Sequence, residues 1–128
     1  DHENVSIKAS PKKKIHRVIS TETAAALQEI LTRVVDQGTG MRTRIKGYSI
    51  GGKTGTAQIA APNGAGYLEG EYVASFMGLV PSVKPRYVIV VNVHSPKKAI
   101  WGSSVAGPVF HKVAKSLIDY YDIPPDRF

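Results

Sequence analysis

Gly51-Gly52-Lys53-Thr54-Gly55-Thr56-Ala57 is the stretch whose reading decides the fold. Its Gly-Lys-Thr triplet invites a phosphate-loop reading. The bare pattern G-x-x-x-x-G-K-T is met, because Gly47 stands five residues before Gly52. A phosphate loop follows an apolar strand and opens a helix. Here residues 41–46 are basic and polar, and Ala57 leads toward a Pro/Gly-rich segment, so that context is missing. The other reading is an extended strand, in which successive side chains alternate between faces. Thr54 and Thr56 then share one face, with Lys53 on the other or raised at the edge. Two hydroxyls and an ammonium within four residues make a receptor for a carboxylate. Gly55 removes the side chain that would block a ligand's approach to the backbone. An edge strand also offers free N–H and C=O groups to an extended peptide. A Gly/Thr-rich strand with a plain surface lysine fits the same residues.

Outward from this stretch, strands and helices follow from periodicity. Residues 48–59 are glycine-rich but strand-like, and residues 60–70, with Pro62, Asn63, Gly64, Gly66 and Gly70, read as a mobile loop. Residues 72–80 and 86–94 read as two strands joined by Pro81-Ser82-Val83-Lys84-Pro85, most simply an antiparallel hairpin. Residues 87–91 are continuously apolar, the pattern of a strand buried on both faces.

Upstream, Ser20 is a helix cap and Glu22 suits the positive end of the dipole. Ala24, Leu27, Ile30, Leu31 and Val34 follow at spacings of three and four, so a packing helix is expected over residues 21–36, stopped by Gly38 and Gly40. Residues 15–19 are weakly strand-like, and residues 1–14, ending in Lys12-Lys13-Lys14, form a polar lead-in. Downstream, a second helix is expected from Ser104. Pro108 would sit in its first turn, and Val105, Val109, Phe110, Val113, Leu117, Ile118 and Tyr121 would form its apolar face. The order of elements gives an α+β fold, an antiparallel sheet flanked by helices. Three strands leave a long open edge, a first hint that the sheet is incomplete.

Composition bounds the rest. With 128 residues the chain is one domain or a piece of one. An apolar fraction of 42% and a charged fraction of 21% exclude disordered, collagen-like and coiled-coil classes. No apolar run approaches the roughly 20 residues needed to span a bilayer. No signal peptide stands at residues 1–10, so any export signal or anchor is expected outside this chain. Cysteine is absent, which removes disulfides, thiolate metal sites and a cysteine nucleophile. His2, His16, His94 and His111 lack ligand spacing. Lys plus Arg of 17 against Asp plus Glu of 10 gives a charge of +7, which favours acidic partners without choosing among them. A non-catalytic basic module for nucleic acid or anionic polymer is the rival reading. Against it, aromatics make up only 8% and do not interleave with basic residues. Arg42, Arg44 and Lys46 are expected to face solvent, and Trp101 to pack.

Lys53-Thr54-Gly55-Thr56-Ala57-Gln58 resembles the K-T-G-T-A-Q box of penicillin-binding proteins, the serine D,D-transpeptidases that crosslink peptidoglycan. The likeness extends over residues 15–126. Arg17-Val18-Ile19-Ser20, Gly38-Thr39-Gly40, Phe76-Met77-Gly78-Leu79-Val80-Pro81, Pro85-Arg86-Tyr87-Val88-Ile89-Val90-Val91 and Val105-Ala106-Gly107-Pro108-Val109-Phe110 are similar to the C-terminal part of class B enzymes, more the cell-division than the elongation type. The resemblance implies a serine β-lactamase/penicillin-binding transpeptidase-like fold, with these three strands part of a five-stranded sheet and the segment 60–70 bordering the cleft. It implies that Lys53 supplies positive charge beside the nucleophile. By the same resemblance Thr54 and Thr56 would bind the terminal D-Ala carboxylate or that of a β-lactam, and Gly55 would permit the approach. The Thr56 N–H would, on this resemblance, be half of an oxyanion hole.

The resemblance also implies partners: a complementing segment or chain carrying S-x-x-K and S-x-N, the peptidoglycan stem peptide, β-lactams and the division glycosyltransferase machinery. Nucleic acid is not among them, and no metal or organic cofactor is implied. The implied location is the bacterial envelope, on the outer face of the cytoplasmic membrane. Ser10-Pro11-Lys12-Lys13 and Ser95-Pro96-Lys97-Lys98 match S-x-x-K by letter, but both carry Pro in basic turns, and S-x-N is absent from the sequence. The chain is therefore expected to be the C-terminal segment of a larger transpeptidase domain, unable to form an acyl-enzyme alone.

Overall fold

The computed structural model describes residues 16–127; the polar lead-in 1–14, with His2, Ser10 and Lys12 to Lys14, lies outside them. Residues 16–20 are irregular and exposed rather than strand-like, with Val18 86% exposed.

Helix α1 is Thr21–Gln37. The Ser20 hydroxyl accepts the Thr23 N–H at 3.2 Å, the cap read from sequence. At the other end the Gly38 and Gly40 N–H groups both return to the Val34 carbonyl. The expected stripe is buried only in part: Ala24, Leu31 and Val34 are half-buried. Leu27 and Ile30 stay exposed, and Val35 is the one α1 residue fully buried. The helix meets the sheet along its Thr32–Val35 flank, where the Thr32 hydroxyl donates to the Gln28 carbonyl and its oxygen lies 2.7 Å from the Ser82 hydroxyl. A short 3₁₀ turn, Met41–Thr43, follows.

The sheet has three antiparallel strands in the order β1 (Gly51–Ala60), β2 (Tyr67–Val80), β3 (Tyr87–His94). Pairing runs Gly51↔Leu79 through Gln58↔Tyr72, then shifts register before Ala60↔Tyr67. Two sequence expectations move here. β1 starts at Gly51 rather than at 48, because Gly47 takes a left-handed conformation (φ +86°) and turns the chain between Ile45 and Tyr48. The expected loop over 60–70 is shorter than read, because strand enters it from both ends. Ala60 and residues 67–70 belong to the hairpin, and only 61–66 form the turn, closed by the Ala61 N–H on the Gly66 carbonyl. Of the three left-handed glycines, Gly64 and Gly66 lie in this turn and Gly70 lies within β2.

Alternation along β3 is clean. Tyr87, Ile89, Val91 and Val93 are half-buried, while Val88 (64%) and Val90 (57%) are exposed. The expectation of burial on both faces is not met, since α2 covers only one side.

Helix α2 is Gly102–Tyr120, two residues earlier than expected, so Pro108 falls in the second turn. Its buried residues are Gly102, Ala106, Gly107, Phe110, Ala114 and Ile118, whereas Val109 and Val113 are exposed. Small residues win the inner face because they let the helix close on the sheet, and Phe110 fills the gap. Its ring meets Phe76 edge-on at 4.7 Å. The core joins these to Val35, Ile50, Val80 and Ile123. Each large side chain removed from water there contributes about 1.5–3 kcal/mol.

Candidate functional site

β1 is an edge strand, so one whole side of Lys53, Thr54, Gly55 and Thr56 is open among the described residues. The phosphate-loop reading fails on this geometry: the stretch is extended and paired, not wrapped. Register settles the faces. Thr54↔Phe76 and Thr56↔Ala74 put both hydroxyl residues on the α2 side, and Lys53↔Met77 and Gly55↔Ser75 lie on the other. Lys53 is exposed, and its ammonium donates to the Thr54 carbonyl at 3.0 Å. That carbonyl is therefore on the open side of the strand. Backbone groups alternate direction along an antiparallel strand, so the Thr56 N–H points the same way.

Neighbouring elements fix the two hydroxyls. Thr54 Oγ1 lies 3.2 Å from Thr39 Oγ1, in the Gly38-Thr39-Gly40 bend after α1. Thr56 Oγ1 accepts from the Gly102 N–H, the first residue of α2, at 3.4 Å. The helix start is pressed hard against the strand: a Cβ on Gly102 would lie 2.2 Å from the Ser75 carbonyl oxygen and 2.7 Å from that of Gly55. Gly55 has a reason the sequence did not give, since a Cβ there would lie 2.5 Å from Ser75 Oγ. Trp101, which precedes Gly102 in sequence, is 62% exposed, so the expected packing is not met.

Other expected residues separate. Arg44 is exposed yet engaged. Its guanidinium donates to the Val35 carbonyl at 3.2 Å and to the Asp36 carbonyl, capping α1. Arg42 reaches Ser104 Oγ at 3.4 Å, and Lys46 faces solvent. Ser95-Pro96-Lys97-Lys98 is a turn: Ser95 is left-handed, its N–H meets the Tyr72 carbonyl, and Lys97 approaches Glu71 at 3.5 Å. Among the described residues no three His, Asp or Glu side chains converge as metal ligands, and no helix is long and apolar enough to cross a membrane. Sequence reasoning missed Thr39, Gly102 and the buried Ser49. The first two become neighbours of the box only through tertiary contact, and their sole sequence signal was the placement of glycines around them.

Comparison with known proteins identifies the family. The family model described as penicillin binding protein transpeptidase domain matches residues 2–115. Penicillin-binding protein PbpB of Mycolicibacterium smegmatis is 40% identical over 117 residues, covering 84% of this chain and 18% of that protein. The peptidoglycan D,D-transpeptidase FtsI homolog of Mesostigma viride is 37% identical over 124 residues, covering 96% of this chain and 20% of that protein. Among solved structures, penicillin binding protein 3 from Mycobacterium tuberculosis, complexed with ampicillin, superposes with a TM-score of 0.77 at 32% identity, over 92% of this chain and 28% of that one. The chain thus spans about a fifth of the length of the curated relatives it matches.

Proposed function

The chain belongs to the penicillin-binding protein transpeptidase domain family, with class B relatives, and on that premise we propose that it supplies the carboxylate and oxyanion strand of a serine D,D-transpeptidase. In this reading a serine outside the chain attacks the amide of a D-Ala-D-Ala stem peptide and D-Ala leaves. The acyl-enzyme is then resolved by the amine of a neighbouring stem peptide. A β-lactam acylates the same serine. Thr54 and Thr56 hydroxyls hold the terminal carboxylate, Lys53 adds positive charge near the nucleophile, and the Thr56 N–H donates to the developing oxyanion. Losing one such donor lowers turnover on the order of 100- to 1000-fold. The partners are the segment that carries S-x-x-K and S-x-N, the stem peptide and, through the whole protein, division glycosyltransferase machinery. The rest of the domain would supply the two further strands of a five-stranded sheet. The place of action is the outer face of the cytoplasmic membrane, in the cell envelope.

The observation that carries the reading is the open edge at Lys53 to Thr56. Ammonium, hydroxyls and an outward N–H stand there within four residues, with nothing paired across from them among the described residues. The test is labelling of the complete transpeptidase by fluorescent penicillin. The natural protein is expected to be labelled and Lys53→Ala to lose at least a hundredfold in acylation rate at an unchanged melting temperature. Labelling that is indifferent to Lys53, or absent from the natural protein, sinks the reading.

A further inference from the structure

The segment after α2 packs back against the lead into β1. The Asp126 carboxylate accepts the Ser49 N–H at 2.6 Å through one oxygen and the Ser49 hydroxyl through the other. Ser49 is fully buried, and its hydroxyl oxygen in turn accepts the Ser82 and Val83 N–H groups at 3.0 and 3.2 Å. The Ser82 N–H also reaches the Ser49 carbonyl at 2.8 Å, and the Ser82 hydroxyl is held by Thr32. One serine thus joins the tail, the lead into β1, the exit of β2 and α1. Two flanking residues repeat the attachment: the Tyr48 hydroxyl donates to the Ile123 carbonyl at 2.8 Å, and the Asp126 and Arg127 N–H groups both donate to the Gly47 carbonyl at 3.1 Å.

All of this converges four residues before Lys53. Between Ile50 and Lys53 stand only Gly51 and Gly52, which have no side chains to anchor the strand. The placement of Lys53 along the edge therefore depends on the ladder to β2 and on the Ser49 node behind it. We propose that residues 123–127 form a clasp that fixes β1, with Asp126 acting through Ser49 as a positioning residue for Lys53 and Thr56. The carboxylate suits the task because it alone can take both the amide and the hydroxyl of Ser49, leaving the hydroxyl's lone pairs for the β2 exit.

This inference rests on the reading of β1 given above for its catalytic arm only. In the complete transpeptidase, Asp126→Ala and Ser49→Ala are expected to slow acylation by fluorescent penicillin about tenfold, the factor equivalent to about 1.4 kcal/mol of lost transition-state alignment. Amide hydrogen exchange over residues 51–56 should accelerate by a similar factor. The double variant should be no slower than either single one, since both act through one node. Ile118→Val, which removes a core methylene far along α2, serves as a control of comparable destabilisation and should leave both readouts near the natural values. If Asp126→Ala proves too unstable to purify, Asp126→Asn, which keeps one acceptor oxygen, should shift both readouts the same way by about threefold. Unchanged exchange over 51–56 in the Asp126 variants, or an equal change in Ile118→Val, overturns the clasp. A natural protein that takes no penicillin, but whose strand loosens in Asp126→Ala, refutes the functional reading and supports the clasp.

Discussion

The Arg127 guanidinium closes on the Asp36 carboxylate through two hydrogen bonds of 2.8 Å each, tying the tail to the last turn of α1 across 91 residues of sequence. An acid at a helix C-terminus opposes the macrodipole, so this pairing offsets an unfavourable placement. The Arg127 hydrogen bonds, and then its charge and that of Arg44, hold the Asp36 carboxyl below its ordinary range, while Asp36 raises Arg127.

A carboxyl whose pKa is lowered on folding contributes stability that is fully present above its unfolded value, about 3.9, and is lost as pH falls through the folded value. Asp36→Asn is therefore expected to destabilise the protein at neutral pH by about 0.5–1 kcal/mol, a half-exposed pair being screened by solvent. The gap between natural and variant proteins should shrink as pH falls below about 3.9 and narrow at high salt. Urea unfolding at neutral and acid pH measures it. A gap that widens on acidification contradicts the assignment.

Arg44 caps the same helix end through the Val35 and Asp36 carbonyls. Arg44→Ala leaves both last-turn acceptors to water and removes a cation from the negative pole, at a loss of about 1 kcal/mol. Arg44→Lys should recover only part, because an ammonium lacks the fork that spans two carbonyls. Thermal melts of the three proteins would check the order.

How much of this was legible in the sequence depends on whether a residue's role is local. The Ser20 cap, the strand at Lys53 to Thr56 and the Gly38 stop are local and read directly. Burial was misread wherever it depends on which neighbour arrives. Leu27 and Ile30 stay exposed and Val35 is buried instead, while Ala24, Leu31 and Val34 are half-buried, because α1 approaches the sheet on its Thr32 flank. Ala106 and Ala114 replaced Val109 and Val113 because a close helix–sheet approach favours small side chains. The strand alternation around Lys53 could be drawn from the sequence alone. The partners Thr39 and Gly102, at separations of 15 and 46 residues, could not.

Those partners distinguish the two hydroxyls. Thr56 Oγ1 already accepts from the Gly102 N–H, so its own hydrogen is free to donate to a carboxylate. Thr54 Oγ1 shares its hydrogen-bonding with Thr39. In the complete enzyme Thr56→Val should weaken acylation more than Thr54→Val, by about tenfold for a lost charge-assisted donor. Thr39→Val should mildly improve the donor capacity of Thr54. Saturation kinetics with a chromogenic β-lactam separates the variants, and equal losses at 54 and 56 contradict the difference.

Gly102→Ala sets helix propensity against sterics. Alanine outranks glycine in a helix by about 1 kcal/mol, and less at a first position, so propensity alone expects a gain. The new Cβ, however, would stand 2.2 Å from the Ser75 carbonyl oxygen and 2.7 Å from that of Gly55. Both belong to the β1–β2 ladder and cannot rotate away as a side chain tip can. Overpacking of this kind costs about 1–3 kcal/mol, which exceeds the gain, so the variant should be destabilised. Relief comes by lifting the start of α2 off the strand, which also withdraws the Gly102 N–H from Thr56, so acylation should fall alongside stability. Gly107→Ala is the matched contrast. Its Cβ would meet the Thr43 methyl at 3.3 Å, a contact that a few tenths of an ångström relieves. Propensity should win there, leaving a protein as stable as the natural one or more so. Melting temperatures that move in the same direction for both glycines would show that the backbone contact at Gly102 does not decide the placement of α2.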